Sequence, residues 1–238
     1  MRCFEQVRQY MSYMQYPIIL IGLAGGFQLQ FMGNTHYALE DIALMRSIPG
    51  IVIMSPADAG EAVKCFEEAL TLNRPVYIRF TGDASNCVYT EDFQYECGKS
   101  VCLKEGNDVT VFAVGSMVEA ALKSAQMLEE QNALSIRVVD MHTIAPLDKE
   151  AITKANDSKL AVSIEEHHIN GGLGSAISDF TSSLGKFPPL LKLGVGDEYS
   201  EVGDYEYLLK QHRLTPEMIA ENIFKKLKLY ENSINNRL

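Results

Sequence analysis

Three observations predict an α/β protein made of two doubly wound, mostly parallel-sheet units. Short unbroken apolar runs, such as Gly50-Ile51-Val52-Ile53-Met54 between Pro49 and Pro56, suit strands covered on both faces. Segments with apolar residues at helical spacing alternate with these runs, and that alternation implies parallel strands joined by helical crossovers. The series lapses between residues 81 and 106 and then resumes, which divides the 238-residue chain in two.

Taken in order, Phe4, Val7, Met11 and Met14 recur at helical spacing and place a helix over residues 2–15, leading into an apolar strand over 17–22. Gly33-Asn34-Thr35-His36 holds residues that tolerate a tight turn, and a helical pattern over 37–47 follows directly. After the strand at 50–54, Asp58 and Glu61 form a capping-box-like pair. Behind them Ala62, Cys65, Phe66, Ala69 and Leu70 make an apolar helical stripe suited to core packing. The next strand, 75–80, carries Arg79 near its end. Gly82-Asp83, Glu91-Asp92 and Glu105-Gly106-Asn107 then mark a connection with room for short strands of its own. The second series has strands at 109–114, 134–140, 160–164 and 190–195, with helices at 117–131, 147–155 and 173–184. Thr215-Pro216 opens a last helix, threonine as cap and proline in the first turn. The expected divisions are a first domain over 1–92, a linker over 93–106, a second domain over 107–230 and a frayed tail over 231–238.

Composition removes several functional classes. A net charge of −10 makes nucleic acid an unfavourable partner, because that binding rests on lysine and arginine neutralising phosphates. No apolar run approaches the ~18 residues of a membrane span, and the first residues lack a signal-peptide core, so a cytoplasmic protein is expected. The 5 cysteines show no C-x-x-C spacing, which favours reduced thiols over a disulfide framework or a metal cluster.

His36 stands at the expected start of a helix, where the positive end potential favours a neutral ring able to accept or donate a proton near neutral pH. Capping the helix or filling a pocket is the plainer use of a lone histidine. Arg79 ends a strand, on the side of an α/β sheet where ligands collect, and its fork of donors suits phosphate or carboxylate. A surface ion pair is its plain alternative. Arg46 reads as a structural ion-pair residue with Asp41 or Asp58 as partner. Glu165-Glu166-His167-His168 invites a metal or acid–base reading, but neighbours on a strand point to opposite faces and cannot all converge. Gly171-Gly172-Leu173-Gly174 is only a weak phosphate-loop signal, and Gly115-Ser116 sits where a strand-to-helix turn is required anyway.

Two ordered blocks carry a family resemblance. Gly33, Thr35 and His36 are followed by Glu40-Asp41, Leu44, Arg46, Pro49 and Pro56-Ala57-Asp58. Val162-Ser163-Ile164-Glu165-Glu166-His167-His168 leads to Gly171-Gly172-Leu173-Gly174-Ser175. This wording resembles the transketolase family of thiamine diphosphate enzymes over residues 4–224, and most of all the C-terminal subunits of transketolases split into two chains. The resemblance implies an incomplete pyrimidine-type domain followed by a transketolase C-terminal domain. It implies transfer of a two-carbon or acyl unit between carbonyl compounds, with a small carbonyl or sugar-phosphate substrate. Thiamine diphosphate and Mg2+ would be bound mostly by an N-terminal partner subunit, since no family-type G-D-G motif occurs here; self-association is expected as well. His36 matches the histidine over the thiazolium ring, and Arg79 matches an arginine that grips the anionic end of a substrate. No cofactor-binding residue is assigned to this chain, and no metal ligand is expected in it.

The match has departures. Ala24 and Met32 stand where many sugar-phosphate transketolases have a histidine twelve residues before the loop histidine and an aspartate four before it. The family's cofactor-activating glutamate and pyrimidine-ring aromatics fall upstream of Met1, which therefore reads as a late start. Rival readings are the beta subunit of a 2-oxoacid decarboxylase complex, to which the 33–49 wording is less suited, and a non-catalytic assembly or regulatory paralogue.

Overall fold

Two mostly parallel sheets organise the chain in the computed structural model, which describes residues 2–82, 87–90 and 92–235. The turn signals at Asp83 and Glu91, and the last three residues of the expected tail, lie outside the described residues. In chain order the strands are β1 (Ile19–Gly25), β2 (Val52–Met54), β3 (Val76–Thr81), β4 (Val101–Lys104), β5 (Val109–Ala113), β6 (Ile136–Asp140), β7 (Thr143–Ala145), β8 (Leu160–His168) and β9 (Leu190–Val195). Helices α1 (Phe4–Gln6), α2 (Asp41–Arg46), α3 (Ala59–Thr71), α4 (Met117–Asn132), α5 (Lys149–Thr153), α6 (Leu173–Thr181), α7 (Tyr205–Gln211) and α8 (Pro216–Asn235) accompany them. The opening helix continues past α1 as a π-helix over Val7–Tyr13.

The first sheet has the order β1-β3-β2-β7, and the second β4-β6-β5-β8-β9. In the first, β1 and β2 flank β3 in parallel, with Ile19 and Val52 both in register with Val76. In the second, β6 and β8 flank β5 in parallel, and only β4 runs antiparallel. The fully buried parallel strands explain the unbroken apolar runs, since helices cover both faces.

Several elements depart from the sequence reading, among them α7, which it did not place, and α8, which runs to Asn235 into the expected tail. β7 is only three residues long, too short for a period to register, and it crosses over to pair antiparallel with β2. The helix expected over 37–47 forms only as Asp41–Arg46, because Tyr37 and Leu39 turn inward to an apolar cluster and Ala38 bridges to Gly26. Strand β8 runs four residues past the expected end, so the whole Glu165–His168 stretch is strand. By contrast Asp58 caps α3 as read, accepting from the Glu61 amide at 2.8 Å, while Glu61 Oε2 accepts from Ala57 N–H at 2.7 Å. One hydrophobic cluster joins Val7, Met11, Ile42, Ile53 and Tyr77 to Phe112, Val139, Ile152 and Ile177, so it ties the two sheets together beside the other clusters.

Candidate functional site

At Gly25 the chain leaves β1 and makes a closed excursion that carries His36. Gly26 and Ala38 shut its base with reciprocal backbone hydrogen bonds of 2.8 and 3.2 Å. Gly26 has φ +71°, and a Cβ there would strike Glu166 Oε1, so both backbone angle and space require glycine. Just inside the base, Phe27 is fully buried, edge-on to Tyr37 and stacked on His212, each at 5.2 Å. Near the tip, Asn34 Nδ2 donates to Ser200 O at 2.6 Å and Asn34 Oδ1 accepts from Ser200 N–H at 3.0 Å.

His36 itself is exposed in the turn at that tip. Its Nδ1 lies 2.9 Å from Thr35 Oγ1. Whichever of the two donates, the ring leaves Nε2 able to accept a hydrogen bond in one tautomer and to donate one in the other. Helix α2 begins only at Asp41, so the helix-start potential expected at this ring is not what acts on it.

Arg79 lies elsewhere in character. Its guanidinium is 1% exposed and is taken up inside the chain, with Nε donating to Asp41 Oδ2 at 2.7 Å and Nη2 to Ala38 O at 2.8 Å and Glu166 O at 3.0 Å. Burial opposes ionisation of Asp41, yet Arg79, His167 and Tyr77 together hold its carboxyl below the ordinary value. Arg46 pairs with neither Asp41 nor Asp58. It reaches Asp179 at 2.8 Å and the Gly171 carbonyl at 2.5 Å, because Asp41 is given to Arg79 and Asp58 Oδ2 accepts from the Val88 and Tyr89 amides.

Strand alternation sends the two glutamates of β8 to opposite sides, as the sequence requires. Glu165 accepts from the Leu173 and Gly174 amides at 2.7 and 2.9 Å, filling the N-terminus of α6 with a side chain of the protein itself. That is why the Gly171–Gly174 turn is not a phosphate cradle: a Cβ at Gly172 would strike Glu165 Oε2. Burial pushes Glu165 up to about 7 against those two hydrogen bonds. Glu166 points to the His36 loop, accepting from Phe27 N–H at 2.5 Å, Ser116 Oγ at 2.5 Å and Tyr205 OH at 2.7 Å. His167 is held to about 4 by burial and then by Arg79, and its Nδ1 donates to His168 O at 2.7 Å. A neutral ring so occupied is structural.

A further pair escaped the sequence reading. Glu61, on α3, and Asp140, ending β6, are both fully buried, and burial raises both carboxyls, Glu61 further because of the neighbouring Asp140. Among the described residues Glu61 Oε1 and Asp140 Oδ1 find no hydrogen-bond partner. Tyr89 OH adds a hydrogen bond to Asp140 at 2.8 Å. Nothing in the sequence places residues so far apart side by side.

Among the described residues no group of three or more His, Cys, Asp or Glu side chains is arranged to hold a metal ion, and no helix is long and apolar enough to cross a membrane. All 5 cysteines are free.

Residues 1–85 match the family described as transketolase, pyrimidine binding domain, and residues 98–219 match transketolase, C-terminal domain. A transketolase C-terminal section of Methanocaldococcus jannaschii is 33% identical over 229 residues, which is 95% of this chain and 72% of that one. A 6-deoxy-6-sulfo-D-fructose transketolase subunit of Clostridium sp. strain MSTE9 is 34% identical over 92% of this chain and 68% of its own length. A solved structure of a split-gene transketolase, described as an inactive beta4 tetramer, superposes with a TM-score of 0.88 at 34% identity, covering 96% of this chain and 73% of that one.

Proposed function

This chain belongs to the transketolase family, and from that premise we propose that it is the C-terminal subunit of a thiamine-diphosphate-dependent enzyme that moves a two-carbon or acyl unit between carbonyl compounds. The observation that carries the reading is His36, an exposed ring on a loop fastened at base and tip, held at Nδ1 beside Thr35. When bound, thiamine diphosphate supplies the electron sink for breaking and remaking a carbon–carbon bond beside a carbonyl. We assign Mg2+ and the diphosphate to an N-terminal partner subunit, as in transketolases split into two chains, and route no step through them. His36 moves a proton at Nε2 to or from the substrate oxygen, while Thr35 Oγ1 holds the ring at Nδ1 in either tautomer.

Arg79 enters as a positioning group in this reading. It holds the Ala38 end of the loop, and a substrate anion would reach it only by displacing Asp41. The divisions at 1–92, 93–106 and 107–230 belong to the same proposal, with β7 as the tie between the outer two. Cytoplasmic location and self-association are further parts of it. Met32, 55% exposed in the turn before Gly33, and Ala24 at the end of β1 present methyl and thioether surface near the loop, which favours a smaller or less hydroxylated substrate than the pentose phosphates. Assay of two-carbon transfer with the partner subunit, thiamine diphosphate and Mg2+ supplied tests the proposal. Activity should require both chains and fall on His36→Ala.

A further inference from the structure

Glu166 is a buried carboxylate that the chemistry above does not use, yet it is costly to keep. It is 1% exposed, and burial raises its pKa against the hydrogen bonds it accepts. Its three donors come from three elements far apart in sequence. Phe27 N–H opens the His36 loop, 139 residues away; Ser116 stands at the start of α4, and Tyr205 begins α7. The side chain is thus anchored on one oxygen by the second sheet's helices and offers the other to the loop. The same residue's carbonyl accepts from Arg79 Nη2, the group that also holds Ala38 O at the loop's other end. Both ends of the excursion therefore meet at one position of β8.

We infer that Glu166 is a positioning residue: it fixes the His36 loop on the second sheet by receiving the Phe27 amide, and so sets where the imidazole stands when the partner's cofactor is brought up to it. This inference rests on His36 as the proton-transfer group, but the positioning itself is measurable without any reaction. Charge-assisted acceptors of this kind are the strong ones, and a buried donor left unpaired after their loss is expensive. Phe27 is the donor at stake. Its ring is locked between Tyr37 and His212, so losing the carboxylate should release the amide and let the loop swing on that ring instead of unfolding the domain.

The test is amide hydrogen exchange of the whole chain followed by NMR, for wild type, Glu166→Ala and Glu166→Gln. In Glu166→Ala the amides of residues 27–38 should exchange about 10- to 100-fold faster, while those of β5 and β6 keep their wild-type rates. Glu166→Gln keeps an oxygen for Phe27 N–H and should restore most of the protection. With the partner subunit present, Glu166→Ala should lower kcat about 10- to 100-fold with little change in KM, and the glutamine variant should recover much of it. Unchanged loop exchange, exchange rising equally everywhere, or a loosened loop with normal kcat would each overturn the inference. His36→Ala, measured alongside, separates the two claims: full activity there removes the reading of the site but leaves the exchange result standing. Should Glu166→Ala fail to fold, Gly26→Ala presses a methyl group onto the same carboxylate and must loosen residues 27–38 alone for the inference to survive.

Discussion

His36 and Arg79 show opposite uses of polar side chains beside one loop. His36 is exposed and its ring hydrogen-bonds with Thr35, so His36→Ala should leave the melting temperature within about 1–2 °C of wild type, as surface changes do. Turnover of the reconstituted enzyme should fall roughly 100-fold, the usual cost of a lost acid–base group. Full activity together with a large drop in melting temperature would make it a core residue instead. Arg79 should behave the other way. Removing one partner of a buried ion pair costs about 3–5 kcal/mol, so Arg79→Ala should be severely destabilised by the charge left on Asp41. A stable Arg79→Ala chain whose only defect is a raised KM would instead mean a direct grip on substrate. Strand-end position was legible for Arg79 from the sequence, because the apolar run after Pro75 set β3. Its partners were not, because Asp41, Ala38 and Glu166 meet it only after the loop and β8 have folded back. The same long-range closure hid Glu166, whose neighbours Ser116 and Tyr205 have no periodic signal linking them.

Among elements, the contact between α3 and β6 carries the clearest pH dependence. Burial and Asp140 push Glu61 well above the ordinary carboxylate range, and burial pushes Asp140 up to about 7 against the Tyr89 hydrogen bond. Raised carboxyls bind more protons folded than unfolded, so their contribution is complete below about pH 4 and is lost as the pH rises through 7. Each pKa unit is worth about 1.4 kcal/mol, and 1 kcal/mol moves Tm by about 2–4 °C in a chain of this size. Thermal melts should therefore show Tm falling by several degrees between pH 5 and pH 8. Asp140→Asn, which removes the carboxyl raised to about 7, should flatten that slope. Parallel slopes for the two proteins would mean that Asp140 does not carry the dependence. Elements with a strong period, β5, α4 and α8, were read closely from sequence alone. Short or irregular ones, β7 and α7, were not, since three to seven residues fit either period and tertiary pairing decides.

At the scale of the whole molecule, one hydrophobic cluster ties the two sheets together, and the proposed proton-transfer residue, His36, has its cofactor site assigned to another subunit. The isolated chain should accordingly bind thiamine diphosphate weakly or not at all in calorimetric titration with Mg2+ present, and a micromolar dissociation constant for it alone would argue against a partner-borne site. Apolar Ala24 and Met32 predict poor use of pentose phosphates, and a wide preference for xylulose 5-phosphate over smaller or deoxygenated donors would contradict that. Family membership was legible because the two motif blocks are local in sequence, whereas the fastening of the loop at Glu166 and Ser200 needed the fold. The most direct measurement is two-carbon transfer by the purified chain mixed with an N-terminal transketolase subunit, thiamine diphosphate and Mg2+, against each chain alone. The expected result is turnover only in the mixture, lowered about 100-fold by His36→Ala. A stable complex of the two chains with no transfer to any carbonyl acceptor, or transfer indifferent to His36, would contradict the account.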